Sequence, residues 1–187
     1  MLNSLVGIIA SSGGAAGGAY ESIASTTVGA GGAANVTFSS IPSTYQHLQV
    51  RYSLRTVSAN LDDEIYVTIN GNGSSNANHL LTGNGGNVTA EGLNYSSVIY
   101  IGKTVGGGST SNIFGAGIID IHDYANTTRN KTIRVFNGMD TNSTTGYVNL
   151  GSGFNFTNQN AITSFAIRSN SNWAQNTVVS LYGIKGA

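Results

Sequence analysis

Two clusters of ionisable side chains are the places where this sequence could do chemistry. Asp62-Asp63-Glu64 is the densest acidic group. Paired carboxylates of this kind hold Ca²⁺ or share acid–base work across a glycosidic bond. Ca²⁺, however, takes about six to eight oxygen ligands, and the whole chain has only 8 Asp and Glu. The triplet reads more simply as a solvated turn before a strand, where its charge discourages edge pairing. The second cluster is Asp120, His122 and Asp123. Strand alternation puts Asp120 and His122 on one face, where they would suit a metal or a proton-transfer pair, or a plain structural contact. His47 and His79 have no ionisable partner nearby in sequence.

Nucleophile elbows, Walker-type lysines, dinucleotide fingerprints and paired-histidine zinc motifs are all absent, and the glycine clusters read as turns. A polysaccharide depolymerase would need carboxylates facing each other across a groove. The clusters on offer are Asp62, Asp63 and Glu64, and Asp120 with Asp123, and no β-helix repeat accompanies them. No catalytic residue, cofactor or metal site is assigned. Eight N-x-S/T sequons begin at Asn35, Asn72, Asn87, Asn94, Asn126, Asn130, Asn142 and Asn155, and in this Asn-, Ser- and Thr-rich chain they read as by-products of composition.

Aromatic residues in or beside loops could instead stack on sugars: Tyr95, Tyr100, Tyr124, Tyr147, Phe154, Phe156 and Trp173. Phe154 and Phe156 share a face and read as core. Trp173, within Ser169-Asn-Ser-Asn-Trp-Ala, is the best candidate for an exposed contact, with Tyr147 second. A subunit interface competes with a glycan for both, because Trp and Tyr are enriched in interfaces.

Charged residues make up 9% of the 187, with Lys+Arg 8 balancing Asp+Glu 8, against roughly 25% in ordinary soluble proteins. There is therefore no basic field for nucleic acid. So little charge gives little mutual repulsion, which suits a surface of Asn, Ser and Thr partly covered by partners. The absence of Cys excludes thiolate metal sites, thiol catalysis and disulfides. No apolar run approaches the roughly 18 residues of a membrane helix.

The elements that must carry these residues are strands. Leu48, Val50, Tyr52 and Leu54 alternate with Gln49, Arg51, Ser53 and Arg55 across Tyr45–Thr56, the pattern of a half-buried antiparallel strand. Val36 and Phe38 alternate within Ala33–Ile41, and Ile65, Val67 and Ile69 within Glu64–Asn70. Further strands are predicted over 96–102, 112–122, 131–137, 145–150, 161–168 and 177–184. Gly29–Gly32, Asn70–Gly73, Gly83–Gly86, Gly106–Gly108 and Asn137-Gly138 supply turns. About eight to ten short strands without a helical window indicate an all-β, jelly-roll-like antiparallel sandwich.

Residues 1–19 differ in character. Leu5, Val6, Ile8 and Ile9 form a short apolar run, followed by a Ser/Gly/Ala tether. The run is too short for a secretory signal and lacks a positive leader. The expectation is a docking arm (1–19) on a β-sandwich domain (20–187), with those four residues seating in a neighbour.

Three segments carry a resemblance: Ala19–Gly32, leading into Val36–Arg51 with Phe38-Ser-Ser-Ile-Pro-Ser-Thr-Tyr45-Gln-His-Leu, and the closing Ser180-Leu-Tyr-Gly-Ile-Lys-Gly186. Together they resemble virion structural proteins of tailed phages, particularly cyanophages; residues 57–175 share only general character. The resemblance implies a non-enzymatic particle protein assembled in the host cytoplasm: a capsid decoration (cement) protein, a head fibre, or a tail-fibre or baseplate component whose loops meet host glycans. The partners it implies are further copies of the chain, with a homotrimer expected, and the major capsid protein; neither nucleic acid nor membrane is among them.

Overall fold

A computed structural model describes residues 18–71, 76–95, 97–155 and 159–186. The docking residues Leu5, Val6, Ile8 and Ile9, and Phe156, lie outside them. Twelve strands are present among the described residues: β1 Tyr20–Thr27, β2 Ala33–Phe38, β3 His47–Leu54, β4 Asp62–Ile69, β5 Asn76–Gly83, β6 Val88–Tyr95, β7 Ile99–Val105, β8 Gly115–Ile121, β9 Lys131–Asp140, β10 Gly146–Asn155, β11 Phe165–Trp173 and β12 Val178–Ile184. They form an eight-stranded sheet, β1-β12-β3-β8-β9-β10-β5-β6, facing a four-stranded sheet, β2-β11-β4-β7. Every strand pairing is antiparallel. The chain is an all-β, jelly-roll-like sandwich.

The core is made by the inward residues of both sheets. Leu48, Val50 and Leu54 of β3, Ile119 and Ile121 of β8, and Ile133 and Val135 of β9 meet Ile65, Val67, Ile99, Ile101, Phe165 and Ile167 from the smaller sheet. At about 25 cal/mol per Å² of apolar surface removed from water, such full burial is the main term holding the sheets together.

Three strands exceed the sequence expectation. β1, β5 and β6 have small or polar residues on both faces, so they show no apolar alternation. Asp62-Asp63-Glu64 belongs to β4 rather than to a turn; there, successive side chains point to opposite faces. Asn137-Gly138 is likewise no turn, since β9 runs straight through it to Asp140. The strand expected at Tyr45 starts at His47, after the Ile41-Pro42 break.

One loop is organised from inside by a buried cation. Arg55 donates from Nη1 to the carbonyls of Thr110 (2.8 Å) and Ile113 (2.9 Å), and from Nη2 to those of Gly107 (3.2 Å) and Ser109 (2.9 Å). The same loop lies so close to residues 58–60 that a Cβ at Gly108 would fall 2.1 Å from the Ala59 carbonyl oxygen. Its glycines serve close backbone approach, which only glycine permits.

Candidate functional site

The eight-stranded sheet has its inner face in the core, and its outer face carries the unusual chemistry. Registers align one row of outward residues across all eight strands: Ser25, Ser180, Arg51, Ile118, Phe136, Leu150, Leu81 and Ala90. From β8 to β5 this row is wholly apolar. The next row adds Ala116, Val148 and, at the sheet edge, Val88. Large side chains here are open to solvent, with Phe136 58% and Val88 72% exposed, and Leu150, Val148, Leu81 and Ile118 also exposed. Scattered exposed apolar residues are ordinary, but here six large ones fall in two neighbouring rows of one sheet face.

The row on the other side of this band is polar: Ser22, Tyr182, Gln49, Asp120, Arg134, Ser152, His79 and Gly92. Its centre is a hydrogen-bonded chain. Arg51 Nε donates to Gln49 Oε1 at 2.7 Å, Gln49 Nε2 donates to Asp120 Oδ1 at 2.8 Å, and Arg134 Nη2 donates to Asp120 Oδ2 at 2.7 Å. Partial burial of Asp120 opposes its ionisation, but the hydrogen bonds from Gln49 and Arg134 outweigh that and hold its carboxyl below the ordinary value. Both oxygens are thus occupied by donors. Asp120 is a fixed anion rather than a proton donor.

Recesses on this face give it relief. One of about 620 Å³ is lined by His79, Leu81, Ala90, Arg134, Leu150 and Ser152 among others. A second of about 340 Å³ lies over Ala116, Gly117, Ile118, Phe136 and Gly138, and a smaller one of about 290 Å³ joins Asp120 and Arg134 to Phe136 and Leu150. The His79 ring lies against Gly92, where a Cβ would come within 2.8 Å of it.

The residues singled out from sequence are distributed otherwise. Trp173, expected as an exposed contact, is fully buried, and its indole Nε1 donates to the Ile167 carbonyl at 3.2 Å. The polar run around it is the irregular end of β11, whose register shifts between Arg168 and Trp173 and turns the indole inward. Tyr124 is also buried in the core. Tyr147 is half-buried, with Lys103 Nζ 4.8 Å from its ring centroid and Asp62 Oδ1 2.8 Å from the same ammonium.

The Asp120–His122–Asp123 group is split. Asp120 joins the outer ladder, while His122 meets the His47 ring edge-on at 4.9 Å, the Asp123 backbone N–H donates to His47 Nδ1 at 3.0 Å, and the Asp123 carboxylate pairs with Arg129. Among the described residues no group of three His, Asp or Glu could hold a metal. Phe136, Leu150 and Leu81 were not singled out from sequence. For Phe136 and Leu81, as for Ile118, the signal is adjacent apolar residues within one strand, Val135-Phe136, Leu80-Leu81 and Ile118-Ile119, because neighbours on a strand face opposite ways; Leu150, between Asn149 and Gly151, carries no such signal.

No family model matches the chain, and no curated protein does. Among solved structures, a galectin of Caenorhabditis elegans is similar over 87% of this chain and 96% of its own, at 8% identity and a TM-score of 0.33.

Proposed function

We propose that this chain is a non-enzymatic structural protein of a phage particle, of the capsid decoration (cement) type, that attaches to the shell and to its own copies through the outer face of the large sheet. The observation that supports it is the aligned apolar band of Ile118, Phe136, Leu150 and Leu81 with Val148 and Val88. A band of that kind favours protein contact, and the low charge of the chain adds little repulsion between copies. The sequence resemblance supplies the phage context, and the major capsid protein and a trimer of this chain are the partners the reading names. Many modest interfaces of this sort add up over a shell.

A second reading is favoured by one feature, the polar ladder beside the band. Arg134, Ser152 and His79 beside an exposed Phe136 offer hydrogen bonds next to an aromatic face, which suits a sugar of a host-surface glycan. The chain would then be a tail-fibre or baseplate component, with the sheet face rather than Trp173 meeting the glycan.

Quantitative mass spectrometry of purified virions tests both. A copy number near that of the major capsid protein supports decoration. A copy number lower by one to two orders of magnitude, with glycan binding lost on Phe136→Ala, supports the second reading and retires the first.

A further inference from the structure

We infer that two copies of the free chain pair face to face across the apolar band, about a two-fold axis that runs parallel to the strands between β9 and β10. The inference rests on the reading above only in taking this face as a contact surface between copies. What it adds is the placement of the second copy. An isologous contact of this kind joins two copies and no more, so a trimer on a particle would use another surface.

Symmetry and charge agree on this axis. The six strands β3-β8-β9-β10-β5-β6 lie evenly on its two sides. It sets β9 over β10 of the second copy, β8 over its β5 and β3 over its β6. By the strand registers, Phe136 then meets Leu150 of the second copy, and Ile118 meets its Leu81. In the polar row, Arg134 meets Ser152 and Asp120 meets His79. The Asp120 carboxylate already accepts from Gln49 and Arg134. A carboxylate has about four lone-pair positions, so an imidazole N–H finds an acceptor there. Arg51 faces Ala90 and Asp140 faces Gly146, so no like charges are opposed.

Relief and area fit as well. In the third row, Val148 stands over Gly138 of the second copy. The recess of about 340 Å³ lies over Gly138, Ala116, Gly117, Ile118 and Phe136, where the exposed Val148 side chain can enter. Six strands at about 4.8 Å and seven residues at about 3.3 Å project to roughly 650 Å² per copy. A standard protein interface takes about 800 Å² per partner. Aligned sheets are rotated by about 30°, which displaces β8 against β5 by roughly 4 Å. That is less than the roughly 6.6 Å between rows, so the same rows stay opposed. An axis running along the band would instead lay each strand over its own copy. Asp120 would then sit over Ala116 and Arg134 over Gly138, a charged row against an apolar one, which costs desolvation without a partner.

Because the chain has no Cys, single cysteines report the geometry in the free protein. Ile118→Cys and Leu81→Cys chains are purified separately, mixed, and treated with a bismaleimide that spans the roughly 10 Å between packed sheets. The mixture should give several-fold more cross-linked dimer than either variant alone, since β8 and β5 lie three strand intervals apart, or roughly 14 Å. Variants that cross-link to themselves as well as the mixture would overturn the axis. Absence of cross-linked dimer from all three samples, with a monomer in sedimentation velocity at the highest soluble concentration, would overturn the pair outright. A second measurement reads the charged contact. His79→Glu sets a carboxylate against Asp120 and should weaken pairing at least about tenfold relative to His79→Lys; equal association of the two would overturn this placement. A chain that pairs as described yet fails to join particles keeps the pair and loses only the shell reading. A monomeric chain that still attaches to particles through Phe136 and Leu150 keeps the shell reading and loses the pair.

Discussion

The ring of Tyr45 lies directly on Gly183, where a Cβ would fall 2.3 Å from the ring's Cγ. These residues come from two separate segments of the phage-like resemblance, 138 positions apart. Gln46 N reinforces the contact by donating to the Ile184 carbonyl at 2.9 Å, and the Tyr45 hydroxyl donates to Glu21 Oε2 at 3.0 Å. Glu21 in turn pairs with Lys185. The paired segments therefore read as the clasp that joins β1, β3 and β12.

Gly183→Ala is expected to push the Tyr45 ring off the strand and to destabilise the fold by about 1–3 kcal/mol, the usual range for forcing extra volume into a packed site. Urea unfolding of the variant measures it. A change within about 0.3 kcal/mol would mean that the ring moves aside freely, and that the clasp is not tight.

A buried polar network crosses the inner face of the large sheet. Asn137 Nδ2 donates to the Tyr52 hydroxyl at 3.2 Å and to the Ile101 carbonyl at 2.9 Å, while Asn149 Nδ2 donates to Asn137 Oδ1 at 2.7 Å. Gly117 lies between Tyr52 and Asn137, and a Cβ there would fall 2.4 Å from the Tyr52 oxygen. Burial drives the Tyr52 phenol far above its ordinary pKa, so it stays neutral in the network. Asn137→Ala leaves three buried polar groups short of a partner and is expected to destabilise the fold by about 1–3 kcal/mol. Thermal unfolding of the variant, with Asn149→Ala and the double variant completing a cycle, should show coupling between the two sites. Strict additivity would contradict a shared network.

The same residues show which parts of the fold were legible in the sequence. β3 and β4 announced themselves because one face is apolar and the other polar. β5 hid because its inward residues include Asn76 and Asn78, which are buried without an apolar signature. Asn137-Gly138 imitates a hairpin turn, and only the cross-sheet partners Tyr52, Ile101 and Asn149 explain an Asn inside a strand. Trp173 misled for the opposite reason, with polar neighbours that face away from it. The outer band was written in the chain only in part, as the doubled apolar residues Ile118-Ile119, Val135-Phe136 and Leu80-Leu81, and its alignment needs registers between strands distant in sequence, which single-strand periodicity does not contain.

Asp120 makes stability depend on acid. Its carboxyl is held below the ordinary value in the folded chain, so its contribution is fully present above the unfolded carboxylate pKa of about 4 and fades as pH falls through the lower folded value. Asp120→Asn removes that titration. Between about pH 5 and 2 the variant's unfolding midpoint should fall less steeply than that of the parent chain, with the difference between the two shrinking toward acid. Parallel curves would show that Gln49 and Arg134 add nothing to the ionised form.

Phe136 and Leu150 separate function from folding. Both are exposed on the outer face, so replacing them leaves the core intact, and surface changes away from special features stay within about 0.5 kcal/mol. An interface that takes them in would instead bury an unpaired charge in the variant, a change that typically costs a few kcal/mol. Phe136→Asp with Leu150→Asp is therefore expected to match the parent chain in urea unfolding while losing self-association in sedimentation velocity and attachment to particles stripped of this protein. If both survive in the charged variant, the band is not the contact surface, and the glycan-facing ladder around Arg134 and His79 becomes the part of the face to pursue.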